Sequence, residues 1–299
     1  MRNRDMVLRI PRALIGALLA LALVLALGAC GSSSGSSSAS VSGPLADAAK
    51  VTSQTRGAHL ALSARIDGAS AQSPVTVTGS GFFNYAGHEG MLTINLAGLP
   101  AGAASGSSPS IEEIYKGTDA YIGSSLLAGK LPGGARWMKL DLARVGDAAG
   151  INPAQLLGGQ SNPASLLEYL KASGGSVQSV GHESVRGVPT THYRGAIDLR
   201  RLAKTLPGSH SAAAREAFEK SLTQLGLTTL PVDVWADSQH LVRRLELAVS
   251  APAGGQQTGV HVTIELFGFG ATPAVSVPAA SETFDATSTA LSGLSALGG

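Results

Sequence analysis

Few side chains in this 299-residue chain are of a type and spacing that can do chemistry, and the sharpest is its single cysteine. Cys30 follows Leu27, Gly28 and Ala29, where an apolar run ends and a Ser/Gly tract begins. A lone thiol has no intramolecular disulfide to form, so its chemistry there is nucleophilic, toward covalent modification. The seven histidines are scattered, and none forms the H-x-x-x-H spacing that sets two imidazoles on one helical face for a metal. His192 and His261 alternate with apolar neighbours and read as polar-side residues of strands. Glu112 and Glu113 adjoin, but neighbours on a strand face opposite sides, and Glu216 with Glu219 reads as a solvated helix surface. The G-x-S-x-G spelling at 31–35 lies in low-complexity sequence without the strand-to-helix turn that such a serine needs. No catalytic constellation, metal site or cofactor is expected. An enzyme would need the fold to join polar residues such as His192 and Asp233 in a cleft.

The residues around Cys30 give its thiol a role. Arg2, Arg4, Arg9 and Arg12 form a basic start, and positions 13–27 are almost uninterruptedly apolar. A run of about 15 residues is short for a membrane span, which needs about 20. Residues 1–29 therefore read as a signal peptide with cleavage after Ala29. The order Leu, small, small, Cys resembles the bacterial lipobox. That resemblance implies diacylation of Cys30, which becomes the new N-terminus, and two or more acyl chains anchor stably to a membrane. The alternative is an ordinary secretory signal with an incidental or buried cysteine.

Removing the leader takes four arginines and Asp5 with it and leaves a net charge near −1. A near-neutral surface without a basic run argues against nucleic acid as a partner. An exported chain with no second cysteine must stand on its core alone. Aromatic residues make up only 4% of the chain, so that core is built from small and branched aliphatic groups.

Residues 30–43 read as a Ser/Gly-rich tether. A helix is expected from Pro44, a good first-turn residue, to Arg56-Gly57. Period-two alternation then marks a series of strands. Their apolar faces carry Leu60, Leu62 and Ile66, then Val75 and Val77, Leu92, Ile94 and Leu96, and later Val232 and Val234, Leu245 and Leu247, Val262 and Ile264. Gly79 and Gly81 fall on the apolar side of the second strand, where absent side chains favour a bend or a close approach or, with Ala64, leave room for a ligand. Two further helices are expected, one opening at Asn162-Pro163 and one over about 211–225, and residues 287–299 read as a flexible tail. About ten strands in hairpin order without a βαβ rhythm make the class α+β: a large curved antiparallel sheet, a half-barrel, with helices packed on its concave face.

The lipobox, the helix over 45–53 leading into the first strand, and the segments 188–199 (VPTTHYRGAIDL), 230–237 (LPVDVWAD), 241–245 (LVRRL) and 282–285 (ETFD) together resemble the actinobacterial LppX/LprG-type lipoproteins, which share the LolA/LolB lipoprotein-carrier fold. The resemblance spans most of 44–286 and implies a single domain there, with an apolar cavity for the acyl chains of a lipid or lipoglycan. The function expected is a lipoprotein on the extracytoplasmic face of the cell membrane, anchored through Cys30, that binds an amphiphile and carries or presents it, with an envelope transport protein as partner. The fourteen apolar residues named above would line the cavity. The alternative is an extracytoplasmic protein-interaction or sensor module with a solid core and no lipid cargo.

Overall fold

The computed structural model describes residues 44–68, 74–98, 108–127, 129–148, 177–201, 220, 222–223, 226–253 and 256–297. Cys30, Ala29 and the tether lie outside them, as do the expected helix from Asn162 and nearly all of the one over 211–225. Within the described residues, helix α1 (Pro44–Ser53) precedes β1 (Gly57–Asp67), β2 (Val75–Asn84), β3 (Glu89–Ala97), β4 (Ser110–Lys116), β5 (Asp119–Ser124) and β6 (Trp137–Asp141). A short helix α2 (Leu142–Ala148) leads away from β6. Then come β7 (Val177–Val185), β8 (Val188–Asp198), β9 (Thr229–Asp237), β10 (Val242–Ala253), β11 (Gln256–Phe267), β12 (Thr283–Asp285) and α3 (Thr287–Leu297).

The strands form one open sheet in the order β12-β6-β5-β4-β3-β2-β1-β11-β10-β9-β8-β7. Two antiparallel meanders, β1 to β6 and β7 to β11, are fused where β11 returns to pair with β1. Turn chemistry explains the local hairpins. Arg186 and Gly187 both have positive φ, the two-residue turn whose twist matches that of its strands, and Val185 pairs with Val188 across it. Asp237 closes the β9–β10 turn: its Oδ1 accepts from the backbone N–H groups of Gln239 (2.8 Å) and Leu241 (2.9 Å), and its Oδ2 accepts from Arg243 Nε at 2.7 Å.

The expectation of one large antiparallel sheet holds, with β12 the exception, since it runs parallel to β6 at the edge. The segment 268–282 reaches that edge by crossing the sheet. Val275 is buried in a cluster with Ile114 and Tyr121, and its carbonyl accepts from Lys116 Nζ at 2.9 Å. The flexible tail expected over 287–299 is instead helical through Leu297. Its start is capped: Asp285 Oδ1 accepts from Thr287 N–H (2.9 Å), and Thr287 Oγ1, fully buried, accepts from Asp141 N–H (3.0 Å). The hydroxyl and N–H of Thr287 hold the Asp285 carboxyl below its ordinary range.

Helix α1 packs on β9 and β10, burying Leu45, Ala48 and Ala49 in the main core. Its last turn is tied down by a buried hydrogen bond, in which Val242 N–H donates to Thr52 Oγ1 at 2.9 Å and both residues have no exposed surface. Thr52→Val keeps the shape and strands that N–H, so the expected loss is about 1–3 kcal/mol, read as a lower urea midpoint. Thr52→Ser retains the acceptor and stays close to wild type; equal losses for the two variants would show that packing, not the hydrogen bond, holds the helix.

Candidate ligand-binding face

Register decides which side chains meet. Across the central strands, Leu96 stands beside Val77, Val77 beside Ala64, Ala64 beside Val262, and Val262 beside Leu247, which neighbours Val232. The row above runs Ile94, Gly79, Leu62, Ile264, Leu245 and Val234. Leu92 and Leu60 flank Gly81 in the next row, and Val75 faces Ile66 at the other end. All fourteen apolar residues singled out in the sequence thus share one face of the sheet. Around β1, β9 and β10 that face is sealed: Val232 and Val234 have no exposed surface and Leu245 has 1%. Toward β4 to β6 the cover thins, and Ile111, Ile122, Met138 and Leu140 on the same face are only half-buried.

Of the two expectations for these glycines, the close approach holds and the room for a ligand does not. A Cβ on Gly81 would run into the carbonyl oxygen of Met91, and one on Gly79 would come to 3.2 Å from Thr93 O and 3.4 Å from Leu62 Cβ. Both positions permit a close approach of β2 to β3, and the space their side chains forgo is taken by the neighbouring strand.

One charged residue belongs to this face. Glu113 lies between Leu92 on β3 and Ile122 on β5, in line with Ile111 and Tyr115 along its own strand. Its Oε2 accepts a hydrogen bond from the Tyr115 hydroxyl at 2.8 Å, the one hydrogen bond its side chain makes among the described residues. Burial pushes the Glu113 carboxyl up, partly countered by the Tyr115 hydroxyl, and burial beside this carboxylate pushes the Tyr115 phenol well up. Nearby, Tyr85 continues the inward row of β2 beyond Phe83, itself 6.1 Å from the Tyr115 ring between centroids. The Tyr85 hydroxyl is buried and has no hydrogen-bond partner, and burial raises it far above an ordinary phenol. Sequence reading passed over this group because it weighed Glu112 and Glu113 only as a pair. The signal was present: if adjacent residues face opposite sides and Ile111 and Tyr115 point inward, so does Glu113.

On the opposite face the fold does join His192 and Asp233, with Nε2 at 2.6 Å from Oδ1. The other ring nitrogen lies 3.2 Å from Glu183 Oε1, and the ring stacks on Trp235 at 4.1 Å, whose Nε1 donates to Glu183 Oε2 at 3.1 Å. Arg194 Nε adds a hydrogen bond to the same Asp233 oxygen, and Arg244 lies over the Trp235 ring. The ladder continues through Glu265, which accepts from Arg244 Nη2 and from Arg186 Nε, both at 2.7 Å. Burial would raise Glu265, but the two guanidiniums hold it below its ordinary range. Both nitrogens of His192 are occupied and its ring is buried, so the arrangement fastens β7, β8 and β9 together. A shallow cleft of about 530 Å³ beside it is lined by His182, Glu183, Thr190 and Thr191, and neither His192 nor Asp233 lines it. Among the described residues no group of three or more His, Cys, Asp or Glu side chains is placed to hold a metal ion. No described helix is long and apolar enough to cross a membrane.

No protein-family model matches the chain. An uncharacterized 31.2 kDa protein of Streptomyces griseus, from the rplA-rplJ intergenic region, is 32% identical over 255 residues, covering 82% of this chain and 79% of that protein. Among solved structures the chain is similar to LprF from Mycobacterium bovis, with 14% identity and a TM-score of 0.43 over 79% of this chain and 95% of that one. It is similar to the same degree to the Mycobacterium tuberculosis lipoprotein LppX, at 14% identity and a TM-score of 0.43 over 79% of this chain and all of that one. LppX is also the protein named in the group that the sequence resembles.

The environment of Glu113 has a measurable consequence. A carboxyl raised in the folded state binds its proton more tightly there than in the unfolded chain. Its contribution to stability is full below the ordinary glutamate range and is lost as pH rises through the raised folded value. Glu113→Gln keeps the acceptor for Tyr115 and removes that slope. Its melting temperature is expected to exceed that of wild type at pH 7, with the gap closing toward about pH 4. Parallel melting curves across that range would show that the carboxyl is not strained by its surroundings.

Proposed function

The chain belongs to the same family as the Streptomyces griseus protein, and from there we propose that it is an extracytoplasmic lipoprotein, anchored through acylated Cys30, that binds a lipid or other amphiphile against the apolar face and carries or presents it in the cell envelope. The observation that carries this reading is the continuous apolar face, from β4 to β10, whose cover thins over β4 to β6. Helices, α1 among them, close over that face as a lid on a half-barrel. Over β9 and β10 the helix already fills the space, so the acyl chains lie on the β2 to β6 half. Buried apolar area at about 25 cal/mol per Å² supplies most of the affinity, and an envelope transport protein delivers or receives the cargo. The protein acts by binding, without catalysis.

The favourable occlusion over β9 and β10 also supports the rival, a sensor or interaction module with a solid core. Lipid occupancy separates the two. Purified gently from residue 31 onward, the protein is expected to carry an adduct of lipid mass in native mass spectra that organic extraction removes. Ile122→Trp, at a half-buried position on the thinly covered half, is expected to reduce that adduct while leaving the melting temperature near wild type. A bare protein that also fails to take up fluorescent acyl probes overturns the carrier reading.

A further inference from the structure

Resting on that reading, we propose that Glu113 is the specificity-determining residue of the apolar face, admitting amphiphiles with a neutral, hydroxyl-bearing head group and turning away those with an anionic one. Two polar groups stand out on a face of aliphatic and aromatic side chains. The Glu113 carboxyl uses one oxygen to accept from Tyr115 and leaves the other without a partner among the described residues. The Tyr85 hydroxyl is buried and unpaired. The Tyr85 hydroxyl carries the desolvation penalty of an unmade hydrogen bond, whereas Glu113 is half-buried and its free oxygen stays open to a donor that arrives from outside. Glu113 shares a row with Leu92 and Gly81, and Gly81 stands four residues before Tyr85, with the Phe83 and Tyr115 rings in the row between. The two groups are separate points on the face, and each is accounted for when a ligand supplies its missing partner.

The chemistry of that partner follows from the two groups. Glu113 needs a donor; Tyr85 has an O–H that needs an acceptor. A carboxylate or phosphate head offers acceptors alone and places a second negative charge beside a desolvated carboxyl, which disfavours both. An ammonium head offers donors alone and leaves the Tyr85 O–H unmet. Hydroxyls do both. A glycerol or sugar head, with several hydroxyls, can donate to Glu113 and still offers oxygens of the kind the Tyr85 O–H lacks, with its acyl chain on the half-buried residues Ile111, Ile122 and Leu140. Glu112, adjacent in sequence, points to the opposite face and takes no part.

The test compares two probes with the same acyl chain, 1-monooleoylglycerol and oleate, by displacement of a fluorescent acyl probe at neutral pH from the mature chain, its Glu113→Gln and Glu113→Leu variants, and Tyr85→Phe. Wild type is expected to prefer the glycerol ester by at least about tenfold, the size of one hydrogen bond to a charged group. In Glu113→Gln, which keeps an acceptor and removes the charge, oleate is expected to gain and the preference to shrink; in Glu113→Leu the glycerol ester is expected to weaken, and Tyr85→Phe to weaken it less. A third arm with a mono-oleoyl glucose ester, again with one oleoyl chain, distinguishes sugar from glycerol, and a preference for either over oleate that the Glu113 variants reduce supports the inference. If the oleoyl probes bind with ratios near one, or with ratios that the Glu113 variants leave unchanged, the inference falls while the lipid-binding reading stands. If no probe binds and no lipid is extracted, both fall.

Discussion

The pairing of β1 with β11 is the constraint on which the rest of this molecule depends. It joins two meanders that would otherwise be separate sheets, and its register runs without a break from His59 opposite Phe267 to Asp67 opposite Gly259. A slip of one residue would turn Arg65 and Glu265 toward the aliphatic side and Leu62 and Ile264 toward the solvent side, because side chains alternate with a period of two. The two faces are therefore fixed by one non-local contact between segments roughly two hundred residues apart, a separation that makes this pairing a late and slow event in folding. Once it is made, the antiparallel strands on either side take their orientation each from its neighbour, and β12 is placed by its parallel pairing with β6.

That inheritance explains what could be read in the sequence. Strands β1 to β3 and β9 to β11 announce themselves by alternation, so their inward residues were identified one by one, and α1 by its first-turn proline and its apolar stripe. What alternation cannot report is anything decided by a distant partner. Strand β12 has three residues and no pattern; it exists because Arg136 N–H donates to Glu282 O and Ala286 N–H to Lys139 O, across the far edge of the sheet. Helix α3 looked like a frayed tail because its composition is Ser, Thr, Ala and Gly, and its start depends on Asp285 and on a hydroxyl that also serves Asp141. Gly81 is expected on the apolar side either for a bend or close approach or as room for a ligand, and the fold uses the close approach. A missing side chain reads the same whether it makes room for a ligand or for the backbone of the next strand, and only the distance to Met91 tells them apart.

Charge is divided between the faces in a way the linear sequence conceals. On the polar face, carboxylates meet partners across strands: Glu183 with the His192 ring, Asp233 with Arg194, Glu265 with Arg186 and Arg244. Exposed ion pairs taken singly contribute little, but here Trp235 and Phe267 lie beneath the arginines and exclude water from one side of them. The ladder stiffens the half of the sheet on which α1 sits, in a fold with no disulfide among its described residues. Residues that seemed to be the raw material of an active site are consumed in holding strands together.

The apolar face shows the opposite economy. Of the two buried side-chain oxygens left without a partner among the described residues, Thr272 Oγ1 belongs to the segment that crosses the polar face, and the Tyr85 hydroxyl belongs to the apolar one. A fold that satisfies Asp237 four times over in a single turn has no general difficulty in finding partners. Local rules of consistency fail where function overrides them, and here they fail on the thinly covered half of the aliphatic face, with Glu113 pressed between Leu92 and Ile122. A leucine at that position would suit a solid core better. A carboxyl there makes physical sense when something with hydroxyl groups comes to meet it.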